Sequence, residues 1–81
     1  MSSKNFVHGF IKSTYQAVNQ DTTLEAKGAT LEAQQDKLKF AITALESVGT
    51  PPDSLQAFLT ASKLIDTEMQ AIELRLELSA D

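Results

Sequence analysis

The sequence predicts an all-α fold: an antiparallel hairpin of two long helices plus a short N-terminal amphipathic helix. Three observations lead there. Leu24, Leu31, Leu38 and Leu45 recur every seven residues. A second run, Phe58, Ser62, Ile65, Met69, Ile72 and Leu76, holds alternating spacings of four and three. Gly49, Thr50, Pro51, Pro52 and Asp53 stand between the two runs as a turn. Apolar residues at this rhythm line one stripe of a helix, and the stripe needs another helix to cover it.

Composition agrees. Apolar residues make up 42% of the 81-residue chain, and ten of them are Ala. Ala, Leu, Glu, Gln and Lys lose little on entering a helix. The only apolar/polar alternation, at Leu74, Leu76 and Leu78, is too short for a convincing strand. The length allows one domain, 1–81, with a modest core. With no Cys and a single His, disulfides and the common zinc sites are excluded, so self-association or a partner protein is the remaining support for so small a fold.

The first helix is expected over 3–20. Phe6, Val7, Phe10, Ile11, Ala17 and Val18 share one face, with Thr14 among them, while Lys4, Lys12, Ser13, Gln16 and Asn19 fall largely opposite. Ser3 and Asn5 are candidate caps. Gly9 inside the helix costs about 1 kcal/mol relative to Ala. A polar break at 19–23 follows, in which Thr22 and Glu25 have capping-box spacing. The break permits either a new helix or a continuous one.

The second helix is expected over 23–48. Gly28, Gln35 and Ile42 lie beside its leucine column, and only the last is apolar. Gly28 would let another helix approach closely and Gln35 would fix register. Alternatively, the seam is simply exposed there. Leu38, Phe40, Ala41, Ile42, Ala44, Leu45 and Val48 make the C-terminal half the more apolar, so packing is expected to be tightest near the turn. Gly49 suits the left-handed residue that ends a helix.

The third helix is expected over 54–78. Pro is tolerated in a first turn, where its missing amide would be unbonded anyway, and Asp53 suits the positive end of the helix. So short a connection makes the two long helices antiparallel neighbours. Apolar residues on this helix exceed one stripe. Leu55 joins the main seam, Ala57, Leu59, Ala61, Leu64 and Ala71 widen it, and Leu74 and Leu78 lie off it. Two helices cannot cover this surface, so the first helix or another chain must.

No catalytic, cofactor-binding or metal-binding residues are expected. His8 has no carboxylate near it in sequence to orient it. Asp66/Glu68 and Glu73/Glu77 are pairs without a third ligand, and read as solvated acidic surface. Lys27-Gly28-Ala29-Thr30 lacks the upstream Gly and the strand of a phosphate-binding loop.

Net charge is −4, but residues 21–81 carry eleven acids against five bases. An acidic body argues against nucleic acid, which needs several Lys or Arg on phosphates. No segment has the ~18 apolar residues of a membrane span, and the start lacks a signal-peptide core. Cytoplasmic residence, or export without a cleavable signal peptide, is the expectation. The acid-free first helix, 3–20, would contact a membrane only weakly with two Lys, so it packs on the hairpin or on another protein.

The hairpin over 23–77, with its Pro-containing turn at 49–53, resembles the small two-helix components of bacterial type III secretion systems, both needle subunits and their hairpin co-chaperones. It departs from needle subunits in having about 28 residues after the turn and in ending Ser79-Ala80-Asp81. The resemblance implies a filament subunit or a co-chaperone, and carries no binding residue over. From the residues themselves, the expected function is a non-enzymatic structural or adaptor-like protein, binding itself or a helical partner through apolar faces. The expected contacts are Phe6, Phe10, Leu31, Leu59, Leu64, Leu74 and Leu78. A small ligand-binding bundle, built around His8 and Tyr15, is the remaining alternative.

Overall fold

A computed structural model describes residues 3–79, together with the side chains of 4–79. Ala80 and Asp81 lie outside them. Helices α1 (Ser3–Gln20), α2 (Leu24–Ser47) and α3 (Pro52–Ser79) follow one another, with no strand among the described residues. The fold class and the long hairpin are as expected. The first helix is not short: at 18 residues it runs about 27 Å.

Each helix end has a local cause. Two contacts hold the end of α1: Lys27 Nζ donates to Val18 O at 2.7 Å, and the Asp21 amide donates to the same oxygen at 3.2 Å. Asp21 is itself pinned, accepting from Thr30 Oγ1 at 2.6 Å. These bonds break the chain at 21–23, so α1 and α2 are separate helices. Thr23, not Thr22, caps α2. Its backbone is extended, and its hydroxyl oxygen accepts from the Ala26 amide at 3.0 Å. The capping-box reading was off by one residue, and Glu25 acts instead as an acid in the first turn, where the helix dipole favours it.

The turn after α2 is a Schellman motif. Gly49 N donates to Glu46 O and Thr50 N to Leu45 O, both at 3.1 Å, with Gly49 at φ 76°. Pro52 opens α3 two residues before the predicted start, and the Ser54 and Leu55 amides donate to Pro51 O. Gly49 needs its missing side chain; Gly9 does not. A Cβ at Gly9 would meet nothing within 4 Å, and its φ is not left-handed. Gly9→Ala is expected to raise the urea unfolding free energy by about 1 kcal/mol. Gly49→Ala is expected to lower it by about 1–2 kcal/mol. Equal signs for the two would contradict this backbone description.

The helices form an up-down-up bundle of 48 × 19 × 15 Å. Val18 meets Lys27, and Thr14 meets Gln34, so α1 runs antiparallel to α2. Gln35 meets Ser62, so α2 runs antiparallel to α3. Phe6 stacks on Phe58 with ring centroids 5.8 Å apart, setting α1 parallel to α3. The core is Val7 from α1, Leu31, Leu38 and Ile42 from α2, and Phe58, Ala61, Ile65 and Ile72 from α3.

Packing is centred on the middle of α2, not on its turn end. Phe40, 79% exposed, and Val48 face solvent. Phe40 lies two residues past Leu38, which turns it about 200° round the helix and away from the bundle. Gln35 is 3% exposed, so the polar positions of the α2 seam do not mark its emergence into solvent. Its Nε2 donates to Ser62 O at 2.9 Å while its Oε1 accepts from Ser62 Oγ at 3.1 Å. One residue earlier, Gln34 Nε2 donates to Thr14 Oγ1 at 2.8 Å, and that hydroxyl donates to Phe10 O. Adjacent glutamines thus hold α1 and α3 to α2 at one level. No buried side-chain nitrogen or oxygen among the described residues is left without a partner.

Gly28 lies against α3: a Cβ there would stand 3.5 Å from Ile72 Cγ2. That is ordinary van der Waals contact, so the approach of the helices is close but does not demand glycine.

Candidate functional site

Of the seven residues expected to make partner contacts, Leu31 is a correction. It is 1% exposed, because α1 closes over the seam in which it lies, and no surface is left at that position. Phe10 is half-buried, packed against the same core. Phe6 keeps half its surface but lays its ring on Phe58. Leu59, Leu64, Leu74 and Leu78 are exposed.

Three of these four share a face. Leu64, Leu74 and Leu78 lie on the side of α3 turned from α2, whereas Leu59 stands about 140° round from Leu64. Between them the face is completed by Ala57, Thr60, Thr67 and Ala71. Spacings alternate three and four from 57 to 78, with no charged residue. Ala57 and Ala71 are half-buried and the other five are exposed, with Leu74 at 56% and Leu78 at 75%. We call this the outer seam. It gives α3 two apolar faces: one is spent on the bundle core, and the other is left largely uncovered by the described residues.

Charges flank the outer seam on both sides. Lys63, Gln70 and Glu77 line the edge away from α1, and Glu68 and Arg75 line the edge towards it; all are exposed. In coiled coils, charges at the equivalent positions beside the seam select a partner and its orientation. At its N-terminal half the seam opens into a trough of about 700 Å³ between α1 and α3. Val7, Ile11, Ala57, Ala61 and Leu64 floor it, and Lys4, His8 and Asp53 stand among its lining residues. A smaller hollow of about 280 Å³ lies between α2 and α3 near Gly28 and Ile72.

The trough has an open apolar floor, and Gln56 and Thr60 add to the polar groups at its walls. His8 is exposed on it, and no group of His, Asp and Glu among the described residues is placed to hold a metal ion. No described helix is long and apolar enough to cross a membrane. The apolar face of α1 that would contact lipid packs into the core through Val7, Phe10, Ile11 and Val18, so lipid would have to compete with that packing.

The outer seam was legible as a surplus of apolar residues on the third helix but not as a repeat. Thr60 and Thr67 score as polar and the Ala side chains are small, so only three Leu stand out. Comparison with protein-family models, curated proteins and solved structures finds no match.

Proposed function

We propose that the chain is a non-enzymatic structural or adaptor-like protein whose outer seam receives a helix, from another copy or from another protein. The observation that carries this reading is the charge-free three-four repeat left uncovered along α3. A strip of that length on so small a molecule supports a docking role: covering it returns about 25 cal/mol per Å² of apolar area, offset by ordering costs. The co-chaperone or filament-subunit role implied by the hairpin resemblance is one way to fill this description, and no observation favours it over others. Cytoplasmic residence, or export without a cleavable signal, fits the same role.

A photo-reactive amino acid placed at Leu64, Leu74 or Leu78 in the protein's own cells tests the reading. Discrete covalent adducts are expected from these three positions. None is expected from Ala33 or Lys37, exposed on the side of α2 turned from the core. Equal labelling from both sets, or none from the seam, would sink it.

A further inference from the structure

Only one self-pairing of the outer seam combines opposite flanking charges with overlap of every seam layer. This inference rests on the reading that the seam receives a helix, and goes on to name the helix. We propose that the occupant is α3 of a second copy, parallel and in register.

The argument is one of elimination by charge and overlap. In a parallel pair, each residue on the Lys63 edge meets the partner's residue five positions later on the Glu68 edge. Lys63 then faces the partner's Glu68, twice by symmetry. Gln70 faces the partner's Arg75, and Gln56 lies at the level of the partner's Ala61, which is buried in its own core. No like charges meet, and every layer of the seam finds its counterpart.

An antiparallel pair with full overlap does worse. It brings Lys63 to the partner's Glu77 but sets Glu68 against the partner's Glu68 at the centre. Sliding by seven residues pairs Glu68 with the partner's Arg75 instead. That slide leaves Ala57, Thr60 and Leu64 without seam counterparts among the described residues, and with them the apolar trough against α1. The parallel arrangement alone combines opposite charges with use of the whole seam. Ala57 and Ala71 allow the two backbones close approach, and Leu64, Leu74 and Leu78 supply most of the apolar area.

Light-scattering mass of the purified chain against concentration is the first measurement. It is expected to rise from 8.8 kDa towards twice that value. Leu74→Glu is expected to hold it at the lower value with the helical circular dichroism unchanged. Orientation is read separately. The chain has no Cys, so Thr60→Cys introduces a single thiol at an exposed seam position. Parallel pairing brings the two thiols together, and a disulfide-linked dimer forms on oxidation. Antiparallel pairing places Thr60 opposite the partner's Leu78 or Ala71, or beyond its described end, and no such link forms.

Lys63→Glu and Glu68→Lys are each expected to weaken the dimer about tenfold at low salt, and the double variant to recover it. A monomer at every concentration would overturn the proposal. So would a dimer that neither links through Thr60→Cys nor responds to the charge exchange. If the purified chain is monomeric while seam positions still yield adducts of another mass in cells, the second copy is refuted and the helix-receiving surface stands. If both experiments fail, both readings fall.

Discussion

Phe58→Ala is expected to lower the unfolding free energy by about 3–5 kcal/mol, read as an earlier urea midpoint by circular dichroism. For a domain of this size, whose total is of order 4–12 kcal/mol, that leaves a substantial unfolded population. The cause is position as well as size. Phe58 is 6% exposed and sits where α1, α2 and α3 converge, so its removal leaves a cavity that three helices would have to close. It also takes away the ring on which Phe6 stacks. Phe6→Ala should be milder, about 1–2 kcal/mol, because half of that side chain is already in water. The two losses should not add: a coupling of about 0.5–1.5 kcal/mol is expected in the double variant. Additive losses would show that the stacked pair contributes no more than its separate burials.

The second large effect is expected at Gln35. Gln35→Ala removes both hydrogen bonds to Ser62 and leaves the half-buried Ser62 hydroxyl without that partner, at a cost of about 2–3 kcal/mol including lost packing. Gln35→Leu with Ser62→Ala removes the polar pair together, and stability should return to within about 1 kcal/mol of the parent. Its specificity should not return. Without the Gln35–Ser62 pair, nothing at that level distinguishes one heptad register of α2 on α3 from the next. The double variant is therefore expected to show broadened methyl resonances where the parent shows sharp ones. Sharp resonances in the double variant would mean that the Schellman turn and the core leucines set the register without help.

The hairpin and its turn were legible because their signals are local and strong. Gly49 with two following prolines marks a helix end and a helix start within a few residues. The Leu31 and Leu38 column has one physical use, and both side chains are buried. The finer errors arose where one residue of phase matters. Thr22 and Thr23 are chemically alike, and the choice between them follows from Asp21 being held by Thr30, a contact nine residues distant. Phe40 reads as core by type, yet its phase relative to Leu38 sends it outward. The heptad spacing of Leu31 does not say whether α1 or another chain covers it. Helix α1, packing in cis, covers it. Gln35 and Ser62 each look like a flaw in an apolar stripe, and only their pairing across helices shows them as a lock. The outer seam follows the same logic in reverse: four small or hydroxylated residues hid a repeat that the placement of α1 and α2 makes visible by leaving it bare.

An odd number of antiparallel rods gives the molecule a direction. Because α1 lies parallel to α3 and starts beside its N-terminal turns, Ser3 and Ser79 stand at opposite poles, about 40 Å apart along α3. A cargo fused ahead of Ser3 and an anchor fused behind Ser79 would be held apart like objects on the two ends of a strut. An even-numbered hairpin would return both to the same side.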